Sequence, residues 1–183
     1  MTKENLRDLC RVIDAASTTS GERLAVLSEE SPVLLVFLRH AGCTFCREAL
    51  SDIARQRSAI ERTGARIILV HMRDSQSIEK LAGRYGLQGV KRICDSSQAL
   101  YRAFGLKRGR LMQLLGPKVL WRGIHAGLLE GHGIGRPTAD SFQMPGVFLI
   151  HQSTIVGRVR HRTAADRPDY ARLCAELKSA AAR

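Results

Sequence analysis

Two apolar runs with a helix-patterned segment between them constrain the fold of this chain more than any other feature. Residues 33–38 and 65–70 are rich in β-branched and aliphatic side chains, which is typical of strands buried on both faces of a sheet. From about Thr44 to Arg62 the apolar residues recur at helical spacing, and Gly64 follows where such a helix would end. A strand, a helix and a second strand in this order predict a right-handed βαβ unit with parallel strands.

The helix of this unit has two contrasting sides. The side that we expect in the core carries Cys46, Ala49, Leu50, Ile53 and Ile60. The side that we expect to face solvent carries Arg47, Glu48, Asp52, Arg55 and Gln56.

The rest of the chain extends this unit into a larger α/β sandwich. Helices are predicted within residues 1–20, 77–85 and 98–104, and from Asp166 or Pro168 onward. Further strands are predicted at residues 90–94, 147–150 and 154–159, the last two as a hairpin. We therefore predict a mixed central sheet flanked by helices, in one domain over residues 1–183. Residues of about 107–140 follow neither period, and we assign them to an insertion.

The charge of the chain limits the partners that it would attract. It has 29 Lys and Arg residues against 17 Asp and Glu, a formal net charge of +12. We expect most of this basic surface to be solvated, with an acidic redox partner as the alternative. Aromatic residues make up only 5% of the chain, so the stacking surface that single-stranded nucleic-acid binders use is largely missing. We expect no nucleic-acid partner, and the oligomeric state is left open.

The sequence also predicts a compartment. No apolar run approaches the roughly 18 residues of a membrane helix. The first residues are charged and lack the apolar stretch of a signal peptide, so we expect a cytoplasmic protein with no membrane partner. In that reducing compartment an odd number of cysteines argues against a structural disulfide framework, and the five are Cys10, Cys43, Cys46, Cys94 and Cys174.

The close pair Cys43 and Cys46 is the candidate reactive centre. It lies between a buried strand and a helix, where unpaired amide groups and the helix dipole favour a thiolate. Arg39, His40 and Arg47 would add positive potential. We expect Cys43 to be exposed at the helix start, which suits it to attack.

Other uses of the cysteines are less well supported. A structural zinc site needs four ligands, often from two such pairs, and this chain has one. Cys10, Cys94 and Cys174 are expected in the core, with Cys94 as an alternative distant resolving thiol. We expect no metal and no cofactor.

Three segments resemble a known family. Residues 37–48, 95–106 and 143–150 are similar to the peroxiredoxin-like branch of the alkyl hydroperoxide reductase/thiol-specific antioxidant superfamily, over roughly residues 31–159. The resemblance implies a thioredoxin-like fold and a cis peptide bond before Pro145, which would lie against the cysteines. The substrate is expected to contact Arg39, Thr44, Phe45, Met144 and Pro145.

The resemblance assigns the two cysteines in two ways. In the peroxiredoxin register Cys46 is the peroxide-reactive residue and Cys43 takes the place of a threonine. Met144 and Pro145 then stand where the peroxide-holding arginine of that family would be. In the thioredoxin register Cys43 attacks and Cys46 resolves.

The predicted function is a thiol-disulfide redox enzyme that uses Cys43 and Cys46. It would exchange dithiols with disulfides or reduce peroxide, and a reducing dithiol protein or glutathione would restore the pair. The alternative is a non-catalytic module that senses redox state or holds zinc, with a basic surface for an acidic partner.

Overall fold

The computed structural model describes residues 3–40, 43–72, 75–109, 121, 142–160, 163 and 165–181. The strands are β1 (Val33–Phe37), β2 (Arg66–His71), β3 (Lys91–Cys94), β4 (Gly146–His151) and β5 (Thr154–Arg160). The helices are α1 (Lys3–Ala15), α2 (Leu24–Glu30), α3 (Thr44–Arg62), α4 (Ser75–Arg84), α5 (Ala99–Ala103) and α6 (Tyr170–Ala181).

The five strands form one mixed sheet in the order β3-β2-β1-β4-β5. β1 pairs in parallel with β2, and β2 with β3, as the predicted βαβ unit requires. β4 lies antiparallel to β1 and returns through a hairpin to β5. The predicted thioredoxin-like α/β sandwich is confirmed, and β1 lies at its centre, immediately before the cysteine pair.

Alternating side chains of the central strands feed two cores on opposite faces of the sheet. Leu34 and Val36 pack with α3, α4 and α6, in the core that also holds both cysteines. Leu35 and Phe37 pack with α1, α2 and α5 on the other face. The candidate site therefore belongs to the α3 face.

Two sequence predictions about helices were wrong. α1 ends at Ala15 rather than near residue 20, and the prediction missed α2. A tight turn separates them, in which Gly21 has φ +90° and its amide donates to the Thr18 carbonyl over 2.9 Å. α2 has only seven residues, too few to give a clear helical period.

The sequence pattern also predicted wrongly that two of the lone cysteines lie in the core. Cys94 is exposed, because it ends β3 at the edge of the sheet, and Cys10 is half-buried. Cys174 is buried as predicted.

The predicted insertion at about 107–140 lies mostly outside the described residues, and with it the division of the chain into domains stays a prediction. None of the helices in the described residues has the length and apolar character needed to cross a membrane.

Candidate active site

The two thiols come together where α3 begins, a few residues after the end of β1. The Leu38 amide still pairs with the Val70 carbonyl, over 2.8 Å, and the Tyr101 hydroxyl donates to both the Leu38 and Val70 carbonyls. The Cys43 amide then donates to the His40 carbonyl over 3.0 Å. Cys43 is the N-cap of α3 and Cys46 lies in its first turn.

Both thiols are free and enclosed. Cys43 is 6% exposed and Cys46 is 3% exposed. The expectation that Cys43 is exposed was wrong: the N-cap sulfur is enclosed in the same core as Cys46. Solvent exposure therefore does not distinguish the two sulfurs. The hydrogen bonds that each sulfur makes do distinguish them.

Hydrogen bonds converge on Cys43. The Cys46 thiol donates to the Cys43 sulfur, and this bond is the largest of the effects that lower the pKa of Cys43 to about 6. Burial opposes the shift, while the Arg39 guanidinium, with Nη1 3.5 Å from Cys43 Sγ, favours the thiolate. The backbone amides of Cys46 and Phe45 stabilise it further. Cys43 is thus poised as a thiolate near neutral pH.

Cys46 is held as the protonated partner. Donating its proton to Cys43 raises its pKa well above the ordinary value, and burial and the nearby Cys43 charge raise it further. The Arg39 amide donates to Cys46 Sγ over 3.2 Å and opposes this shift only in part.

His40 contributes no positive charge of its own at neutral pH. Burial, followed by the Arg39 and Arg47 charges, lowers its pKa to about 4. The positive potential at Cys43 that the sequence predicted therefore comes from Arg39, and not from His40.

The structure places three of the five predicted substrate-contact residues around one cavity. Arg39, Phe45 and Pro145 line a space of ≈ 20 Å³ together with Cys46. Met144 is buried and packs against Phe45, but it does not line the cavity itself. Thr44 is buried in the first turn of α3 and is not part of the cavity wall.

The predicted cis bond before Pro145 was wrong. No cis peptide bond occurs in the described residues, so the Met144–Pro145 bond is trans. The preceding segment is extended and paired: the Met144 amide donates to the Lys107 carbonyl, and the Gln143 side chain donates to the Leu106 carbonyl. The chain enters β4 straight from this pairing, and no tight turn requires a cis bond.

The sequence pattern missed several charged or polar residues of the same cavity. Glu48 and Asp52 were expected to face solvent, but they are 2% and 5% exposed. Arg167, which precedes α6, pairs with both, and Tyr170 of α6 completes this wall. The i, i+4 spacing of the two carboxylates on α3 was visible, but the cation that pairs with them comes from far along the chain, and no local signal pointed to it.

No group of three or more His, Cys, Asp or Glu side chains suited to a metal ion occurs within the described part of the chain.

Comparison with known proteins gives the family. The profile of the AhpC/TSA antioxidant enzymes matches residues 52–163, more than half of the chain. The chain belongs to this family. The match begins after Cys46, so it supports the assignment independently of the cysteine pair. No curated protein matches the chain.

Solved structures agree on the fold. The chain is similar to Xanthomonas campestris peroxiredoxin Q, in a cysteine-to-serine mutant, with a TM-score of 0.64 and 15% identity over 93% of this chain and 94% of that one. It is similar to the peroxidoxin BcpB of Mycobacterium tuberculosis, with a TM-score of 0.57 and 18% identity over 90% of each chain. At such identities the likeness concerns the fold.

These findings confirm the sequence predictions of family, fold and enzyme. The chain is a member of the AhpC/TSA family of antioxidant enzymes, and it has the thioredoxin-like fold of the solved peroxiredoxins.

Proposed function

We propose that this AhpC/TSA enzyme reduces peroxide with Cys43 as the attacking thiolate and Cys46 as the resolving thiol. The observation that carries this assignment is the convergence on Cys43 Sγ of the Cys46 thiol, the Arg39 guanidinium and two helix amides. A sulfur that accepts several hydrogen bonds is stabilised as a thiolate, and the thiolate is the nucleophile.

The chemistry then takes three steps. The Cys43 thiolate attacks the terminal peroxide oxygen, the O–O bond breaks, and Cys43 becomes a sulfenic acid while the leaving oxygen takes a proton. Cys46 attacks the Cys43 sulfur, a disulfide forms, and the sulfenic hydroxyl departs with the Cys46 proton as water. An external dithiol then reduces the disulfide and is itself oxidised.

The enclosure of the site favours peroxide over a protein disulfide as the oxidant. Both sulfurs are nearly closed to solvent. The cavity of ≈ 20 Å³ is lined by Cys46 and by Arg39, whose Nη1 lies 3.5 Å from Cys43 Sγ, and it has room for about one water-sized molecule. Hydrogen peroxide is close to that size, whereas a protein disulfide brings its own backbone. We assign Arg39, Phe45 and Pro145 to substrate contact, with Thr44 and Met144 supporting them.

An acidic dithiol protein is the reductant that the charges favour. Arg47 lies close enough to His40 to lower its pKa, and Arg47 and Arg84 both act on Tyr85, so these arginines form a basic surface beside the start of α3. With a formal net charge of +12, the chain would attract such a partner electrostatically. A cytoplasmic location, where dithiol reductants are plentiful, fits this cycle.

Trapping with single-cysteine variants tests the assignment. Each variant is treated with hydrogen peroxide and a sulfenic-acid reagent, and the modified residue is located by mass spectrometry. Cys46→Ser is expected to accumulate sulfenic acid on Cys43, and Cys43→Ser to accumulate none. Cys94→Ser, which removes an exposed thiol away from the pair, is the control and should react as the unmodified protein does. Sulfenic acid on Cys46 in the Cys43→Ser variant would reverse the two roles.

A further inference from the structure

A buried ionic cluster lies on the far wall of the cavity beside Cys46. Arg167 Nη1 is 3.2 Å from Glu48 Oε1, and its Nε donates to Asp52 Oδ2 over 2.8 Å. Asp52 also pairs with Arg55. Burying two carboxylates is costly without such partners, so their position on the inner side of α3 calls for a role.

Tyr170 connects this cluster with the reactive sulfur. It is 1% exposed and lines the same cavity as Cys46, Glu48 and Asp52. Burial raises its pKa, and the Asp52, Cys46 and Glu48 charges raise it further. The cavity also has room for one water molecule beside them.

Cys46 needs such a connection when it resolves the sulfenic acid. Its sulfur attacks as a thiolate, but in the resting site it is protonated and buried. The other buried tyrosine near the pair, Tyr101, has its hydroxyl proton committed to the Leu38 and Val70 carbonyls. The wall formed by Tyr170 and the two carboxylates is therefore a polar route that leads away from Cys46.

We propose that Tyr170, Glu48 and Asp52, held in place by Arg167, carry the proton of Cys46 during the resolving step. This rests on the proposed function, in which Cys46 resolves a sulfenic acid on Cys43. Tyr170, directly or through one water, accepts the Cys46 proton and passes its own to a carboxylate. The carboxylate returns a proton to the departing hydroxide, which leaves as water, so the cluster ends in its starting state.

Charged and titratable groups near Cys46 come from several parts of the fold. The β1–α3 connection supplies Arg39, His40 and Cys43, α3 supplies Glu48, Asp52 and Arg55, α5 supplies Tyr101, and the C-terminal segment supplies Asp166, Arg167 and Tyr170. Asp166 accepts hydrogen bonds from the Thr163 amide and hydroxyl, one on each carboxylate oxygen. Glu48 and Asp52 remain as the carboxylates that can act through Tyr170.

A single-turnover experiment separates the resolving step from the attack. Reduced protein is mixed with hydrogen peroxide and quenched at intervals, and mass spectrometry counts sulfenic acid and disulfide. Tyr170→Phe removes only the hydroxyl, and Glu48→Gln and Asp52→Asn keep the shape of each side chain. We expect sulfenic acid to form at the unmodified rate and disulfide formation to slow tenfold or more at pH 7. The deficit should shrink as pH rises, because hydroxide then takes the Cys46 proton.

Matched controls make the result specific. Tyr85→Phe and Glu61→Gln remove the same groups at partly buried and exposed positions outside the cavity, and both steps should keep their rates. Disulfide formation at the unmodified rate in Tyr170→Phe and Glu48→Gln, or an equal loss in both steps, would overturn the proposal. Both of these outcomes would leave the proposed function intact. The proposed function fails only if sulfenic acid does not form on Cys43.

Discussion

At the scale of single residues, the acidity of Cys43 is set by donors aimed at its sulfur and not by contact with water. Cys46 supplies the strongest of these donors and Arg39 supplies a charge. The proposed function therefore gives the two cysteines different roles although they are almost equally buried. This asymmetry gives two predictions about the pH dependence of the reaction.

The first prediction concerns the proton shared by the pair. Cys43 should react with iodoacetamide at a rate that falls as pH drops through about 6, since protonation removes the nucleophile. Cys46→Ala removes the largest cause of the lowered pKa, so the midpoint should move upward. Peptide mass spectrometry after alkylation at graded pH measures both midpoints. Cys94→Ser should leave the midpoint where it is, and a midpoint near about 8.5 in the unmodified protein would refute the assignment.

The second prediction concerns Arg39. Arg39→Met removes the guanidinium whose Nη1 lies 3.5 Å from Cys43 Sγ, and the pKa of Cys43 should rise. A rise of one unit from about 6 would take the thiolate fraction at pH 6 from about one half to about one tenth, so peroxide reduction at that pH should fall about fivefold. At alkaline pH the rates should converge. Arg57→Met on the outer side of α3, where Arg57 pairs with Glu61, is the control. A deficit that stays constant with pH would contradict the expected mechanism.

At the scale of elements, α3 and the C-terminal segment are joined beside the reactive pair. Arg167 binds Glu48 and Asp52 of α3, and the Ala171 amide donates to Gln56 Oε1 over 3.0 Å. Cys174 adds an apolar contact in the same core. The helix that carries both cysteines is thus fixed from two sides, by the sheet and by α6.

The third prediction measures this junction. Arg167→Met leaves two buried carboxylates without their shared cation, and we expect the free energy of unfolding to fall by about 2 kcal/mol, since Arg167 itself is partly exposed. Urea denaturation measures the change. Arg172→Met breaks an exposed pair with Glu176 and should cost about 0.5 kcal/mol or less. Equal losses of unfolding free energy in the two variants would show that the buried cluster stabilises the fold no more than an exposed ion pair does.

The same elements show what the sequence could and could not predict. β1, α3 and β2 were predicted almost to the residue, because a local period of apolar side chains indicates each of them. The buried position of Glu48 and Asp52 was not predicted, because it depends on Arg167, which lies 115 residues from Asp52 in the sequence. The trans bond at Pro145 was missed for a similar reason, since pairing with Lys107 and Leu106 decides the path of that segment.

At the scale of the whole molecule, the sheet separates the site from half of the protein. The α3 face carries the cysteines, the cavity and the basic surface of Arg47 and Arg84, while α1 and α5 cover the other face. Under the proposed function, a partner that reduces the disulfide would approach from the α3 face. Charges on α1 lie on the other face of the sheet and would guide it less, because exposed charges are screened beyond about 8 to 10 Å in physiological salt.

The fourth prediction follows from this division. Arg84→Glu should raise the KM for an acidic dithiol reductant severalfold and make it less sensitive to salt, because the substitution replaces attraction by repulsion at the docking surface. Arg11→Glu reverses a charge on α1 that is likewise exposed and should leave the KM unchanged. Steady-state peroxide consumption at several salt concentrations measures both. Equal changes in the two variants would assign the effect to net charge and not to a surface.

The C-terminal helix also has a consequence for the length of chain that the enzyme needs. Tyr170 and Arg167 form one side of the chamber beside Cys46. A protease that cut the chain ahead of Arg167 would leave both sulfurs attached to α3 but take away that side. The truncated chain would therefore have an open cavity and would lack the tyrosine assigned above to the resolving step, so disulfide formation should slow even though both cysteines are still present.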